Sequence, residues 1–251
     1  MLPPDSPFRR LPATWPRKQV LLTDALRLSA QMATFSLENL IRLLKVLVTA
    51  AENEALGESA VEGIVYSYGV IDAANRFREI LRIFPGLKQN EIFKLFIRAT
   101  AAVEKLRNVT QHLNQEMKVI GDKQSAALGT ITWLGPSPTE DSPPSAWVLQ
   151  PGSFYRDQFT LGPLIDRELR LAGGEIAQVN LVTSGVRVNL SDVVWRIKRM
   201  MAALEPSIRE NAKGKELLGS DVLLHFALRP VDDHETSMSL AAGVPNAENP
   251  T

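Results

Sequence analysis

Side chains able to move a proton near neutral pH are scarce in this chain. It has three histidines, His112, His225 and His234, and no cysteine in 251 residues. The missing thiols remove cysteine nucleophiles, cysteine zinc sites and redox motifs. What remains is one short run, Arg107-Asn108-Val109-Thr110-Gln111-His112, in which an arginine, a small polar residue and a histidine share a helical text. A histidine titrates in the range needed for proton transfer from a hydroxyl. A guanidinium offers a planar, permanently charged fork for a phosphate gaining charge in a transition state, which an ammonium does less well. Together these types suit cleavage of RNA by its own 2′-hydroxyl, a route that needs no metal or cofactor. Asn108 falls one turn from His112 and is placed to orient the ring.

On a helix turning about 100° per residue, with Leu106 at zero, Arg107 lies near 100°, Asn108 near 200° and His112 near 240°. Arg107 and His112 therefore flank the outward centre line about 140° apart. They cannot easily meet on one helix, but a two-fold axis would set this face against the same face of a second copy, with substrate between.

The elements that must carry the run are legible in the apolar spacing. Residues 1 to 16, with five prolines, read as an irregular arm. Residues 17 to 121 read as an up-and-down bundle of three or four long helices. The first, about 19 to 55, has a stripe of Leu22, Leu26, Ser29, Ala33, Leu37, Leu40, Leu44 and Leu47; it could be two helices, because Thr34, Phe35 and Ser36 are weak helix formers. The second is expected from Ser59, a plausible N-cap, to Phe84, and the third from Asn90 to Gly121 with a stripe of Ile92, Phe96, Ala99, Val103, Leu106, Thr110, Leu113, Met117 and Ile120. Residues 125 to 229 then read as a β-rich domain with one helix: strands at 128–134 and 146–149, a hairpin over 175–190 turning at Ser184-Gly185, a helix capped by Ser191, and a last strand over 221–228. The tail from 230 to 251 is polar and is expected to be disordered. Helices followed by strands make the fold α+β.

An Arg-polar-x3-His run late in a helical bundle resembles the HEPN superfamily, whose signature is an Arg, usually followed by Asn, Asp or His, with several residues before the His. The resemblance covers roughly residues 19 to 121. It implies a four-helix bundle, usually dimeric, and a metal-independent endoribonuclease of the kind found in toxin–antitoxin, abortive-infection and CRISPR systems, with Arg107 and His112 as the catalytic pair and Asn108 between them. Other members are inactive and serve as binding modules. That gives a second expectation: a non-catalytic dimer whose β-rich half recognises a protein partner or a small ligand.

The bare spacing also occurs at Arg229 to His234, where Pro230 excludes a bundle helix. Phosphate-loop, dinucleotide, GxSxG and HExxH motifs are absent from the sequence. With 28 basic and 28 acidic residues, bulk electrostatic attraction to nucleic acid or anionic membrane is excluded. Residues 18 to 121 carry 13 basic and 11 acidic side chains, so any RNA contact there is local. Arg76, Arg78 and Arg82, interleaved with Asp72 and Glu79, read as a charge-paired helix face. Trp133 and Trp147 are expected to pack across strands. The opening lacks the apolar core of a signal peptide, and 40–51 is too short and too charged to span a bilayer, so a cytoplasmic protein is expected.

Overall fold

In the computed structural model, residues 3, 5–50, 56–87, 90–122, 126–137, 144–152, 176–219 and 221 are described. The chain divides into one unit over Met1–Leu218 and a short one over Gly219–Thr251. The strand expected over 221–228 and the tail from 230 lie outside the described residues, as do His225 and His234.

Helix α1, Arg17–Ala50, runs for 34 residues without interruption. Every residue of its expected stripe is buried, Leu26, Ala33, Leu40 and Leu44 completely. The weak stretch at Thr34–Ser36 does not break it, because Thr34 is buried and Ser36 abuts α2, Gly57–Ile83. A Cβ on Gly69 of α2 would stand 2.5 Å from Ser36 Oγ, so the Ser36 side chain packs directly on the α2 backbone there. Tertiary packing outweighs local propensity at this point. Helix α2 starts two residues before the expected Ser59 cap, with Leu56 at the capping position and no side-chain cap.

The third helical segment begins as its sequence dictates. Asn90 accepts hydrogen bonds from the backbone N–H of Ile92 and Phe93 and opens α3, Glu91–Ala99. It then breaks twice, into α4, Ala101–Gln111, and α5, Leu113–Asp122, with Thr100 and His112 between. The buried face accordingly uses Phe93, Phe96, Thr100, Val103 and Leu106, whereas Ile92 of the expected stripe is exposed.

Among the described residues four antiparallel strands follow: β1, Thr130–Gly135, β2, Ser145–Leu149, β3, Ala177–Thr183, and β4, Val186–Asn189, in the order β2-β1-β3-β4. Ser184 and Gly185 make the expected two-residue turn, both at positive φ as a right-twisted hairpin prefers. Trp133 pairs with Trp147 across β1 and β2, their rings stacked with centroids 6.2 Å apart. A bulge interrupts the β1–β3 register between Thr132 and Leu134, where Gln178 adopts φ 48°. The last helix, α6, Leu190–Ala212, follows β4 with no loop. Its cap is Asn189, accepting from Asp192 N–H; the expected cap, Ser191, instead accepts from Val179 N–H and ties α6 to β3.

One apolar core runs from α1 and α2 through Ile131, Trp133, Leu149 and Leu181 of the sheet to Val194, Ile197 and Met201 of α6. Residues 1 to 16 contribute to it: Phe8, in a 3-10 turn over Pro7–Arg9, is wholly buried. The fold is α+β, with an N-terminal helical region followed by a small antiparallel sheet and a helix.

Candidate functional site

Helix α4 is positioned from α2 by a buried arginine. Arg78, 1% exposed, donates through Nη1 to the Ile97 carbonyl at 2.8 Å and to the Thr100 hydroxyl, and through Nη2 to Glu104 Oε2 at 2.9 Å. Thr100 in turn donates to the Phe96 carbonyl. These bonds span the break between α3 and α4 and fix where α4 starts. Arg82 reaches the same Glu104 oxygen at 2.7 Å. Hydrogen bonds from Arg82 and Arg78 hold the Glu104 carboxyl below its usual range. Burial pulls the Arg78 guanidinium below its ordinary value, opposed chiefly by the hydrogen bond to Glu104. The expected charge pairing along α2 is present between Arg82 and Glu79, but Arg78 departs from it, being buried with partners 19 to 26 residues away.

With Val103 and Leu106 fully buried, α4 turns Arg107, Asn108 and His112 outward. Arg107 is partly exposed, and Asn108 and His112 are exposed. Arg107 Nε approaches Asp72 Oδ1 of α2 at 3.4 Å, and its Nη1 approaches Gln111 Oε1 at 3.4 Å. Both distances are at the long end of hydrogen bonding, and the ion pair is half open to solvent. Its Nη2 has no hydrogen bond among the described residues. His112 ends α4, and its backbone N–H donates to the Asn108 carbonyl at 3.0 Å. Asn108 and His112 are thus joined through the main chain; no side-chain hydrogen bond between them, or from either to Arg107, occurs among the described residues. The chain keeps Arg107 and His112 on one outward side without bringing them into contact.

Asp72 and Tyr68 complete the surroundings. The Tyr68 hydroxyl donates to the Leu128 carbonyl at 3.0 Å, and its pKa is pushed up to about 12 by burial and by the Asp72 charge. In the sequence Asp72 is only a partner for arginines on its own helix; the contact with Arg107 crosses 35 residues and leaves no local signal.

Among the described residues, no cluster of three His, Asp or Glu side chains is placed to hold a metal ion, and no helix is long and apolar enough to cross a membrane. A groove of about 290 Å³ lies elsewhere, between Ala30, Gln31 and Thr34 of α1 and Lys198, Met201 and Glu205 of α6. No protein-family model, curated protein or solved structure matches the chain.

Proposed function

We propose that this protein is a HEPN-like, metal-independent endoribonuclease that works as a homodimer in the cytoplasm, as toxin or defence nucleases do. The observation that carries the reading is the outward placement of Arg107 and His112 on α4, with the Arg107 guanidinium steadied at Nε by Asp72 and its Nη2 without a partner among the described residues. RNA lying along this face places a phosphate on Arg107. His112 takes the proton of the neighbouring 2′-hydroxyl. The 2′-oxygen then bonds to phosphorus, the bond to the 5′-oxygen breaks, and that oxygen takes a proton from solvent. A 2′,3′-cyclic phosphate and a 5′-hydroxyl result. Because one α4 holds its two groups apart, the same face of a second copy closes the site from the other side.

Cleavage of mixed RNA in the presence of chelator tests this. His112→Ala is expected to lower the rate about 10²- to 10⁴-fold, the usual weight of general acid–base catalysis. Equal rates for the two proteins, or no RNA cleaved by the wild type, sinks the proposal. A second reading has its own observation, the Arg107–Asp72 ion pair, which gives Arg107 a structural contact independent of any substrate. In that reading the bundle is a non-catalytic dimer whose β-rich half binds a protein partner or small ligand, and Arg107 and His112 are both replaceable.

A further inference from the structure

Beside a polar outward centre line that carries Gln31, Glu38 and Thr49, one exposed flank of α1 is apolar. Leu21, Leu28, Met32, Phe35 and Val46 are between 45% and 58% exposed. Set at intervals of seven, four, three and eleven residues, they form one line along a flank of α1, about 125° round the helix from its buried stripe. Five large apolar side chains aligned on one helix are a patch of the kind that marks an interaction surface. On the neighbouring helix, Val61 and Val65 are also exposed, 62% and 59%.

We infer that this face docks a second copy of the chain, with α1 packed antiparallel against α1 of the partner about a two-fold axis between residues 33 and 34. The line continues through Ala25, Asn39 and Arg42 as alternating four- and three-residue steps: 21, 25, 28, 32, 35, 39, 42, 46. In an antiparallel pair, positions facing each other have a constant sum. A sum of 67 places Leu21 against Val46 of the second copy, Met32 against Phe35, Leu28 against Asn39, and Ala25 against Arg42. Every position of the line is used, and the largest exposed apolar side chains meet at the centre and at the ends. The bulky Arg42 falls opposite the smallest residue, Ala25. Charge agrees with this register. Asp24, which also pairs with the buried Arg27 of its own helix at 3.5 Å, and Lys45 border the line on one side, and the antiparallel pairing sets each Asp24 two positions from the residue facing a Lys45 of the other copy. A parallel pairing would instead set Arg42 against Arg42 and leave Leu21 and Val46 at opposite ends. The seam spans 26 residues, roughly 37 Å of helix.

The dimer gives the ribonuclease reading its second copy but does not need that reading to be right. Asp72, exposed on α2 as Val61 and Val65 are, is the residue that takes Arg107.

The test is made on the full chain, which has no cysteine to confuse cross-linking. Sedimentation of the wild type is expected to give twice 27.7 kDa. Phe35→Glu is expected to raise the dissociation constant about thirtyfold or more with the helical circular dichroism unchanged. Asp24→Lys should weaken the dimer and Lys45→Asp in the same chain restore it. A Leu21→Cys/Val46→Cys double variant should form an intermolecular disulfide under mild oxidation, and Leu21→Cys alone should not. A monomeric wild type, a dimer indifferent to Phe35→Glu, or efficient cross-linking by Leu21→Cys alone overturns the inference. A dimer with all these properties that cleaves no RNA upholds the seam and removes the ribonuclease.

Discussion

Arg78 and Arg107 show how much a single residue conceals in one dimension. Both stand within a few positions of a carboxylate or an amide in the sequence, and both invite a helix-surface reading. Arg107 fits that reading in part, since it lies on the polar side of α4 as its wheel position requires. Arg78 does not, because the carbonyl, hydroxyl and carboxylate that bind its two Nη atoms belong to α3, to α4 and to the break between them. A buried arginine is tolerable only where such partners converge, and convergence is a property of the fold. Tyr68 offers the measurable consequence at this scale. Its folded phenol keeps its proton to about pH 12, while in the unfolded chain it loses it near pH 10.0. The unfolded state therefore gains as pH rises between those values: the stabilisation is whole below pH 10 and lost through pH 12. Denaturant melts from pH 8 to 12 should show Tyr68→Phe less stable than wild type at pH 8, by about 1 kcal/mol for the lost hydrogen bond, and the gap narrowing as pH rises. A gap that widens with pH contradicts the placement.

At the scale of elements, apolar spacing and turn chemistry were readable wherever the cause is local. The α1 stripe, the Asn90 cap and the Ser184-Gly185 hairpin turn each depend on residues within a few positions of one another. The misreadings have contacts from afar. Thr34–Ser36 stays helical because α2 packs on it, α3 stops at Thr100 where Arg78 donates to the Ile97 carbonyl, the i−4 acceptor of Ala101, and Ser191 is drawn away from capping by Val179. The fit of α1 to α2 can be checked at Gly69. Gly69→Ala would ordinarily favour a helix, yet its methyl would come within 2.5 Å of Ser36 Oγ and 3.1 Å of Ser36 Cβ. A net destabilisation of about 1–3 kcal/mol is expected in urea melts, from forced separation of the helices. Relief by Ser36→Gly in the same chain would show that the clash is the cause.

For the whole molecule, the change of text near residue 121 marks a change of secondary structure, while the apolar core passes across it. No pattern in the sequence announces that crossing, which joins residues over a hundred positions apart. Nor does one announce the role of the proline-rich start, which reads as an irregular arm and yet places Phe8 in the core with no exposed surface. Phe8→Ala should cost about 3–5 kcal/mol of stability, as for other buried aromatic truncations, and thermal melts would reveal it as a single shifted transition. A variant as stable as wild type would mean that the arm merely rests on the surface.

The same arm is held by a short antiparallel pairing: Ala13 N–H donates to the Glu216 carbonyl and Leu218 N–H to the Leu11 carbonyl, both at 2.8 Å, with Pro12 opposite Leu217. The segment between Phe8 and α1 is thus tied to the C-terminal end of this unit. A pull applied between residues 10 and 219 would load these few bonds one after another, like a zip, before any tension reached the helices. Such a unit resists heat through its core but yields early to force applied at its ends.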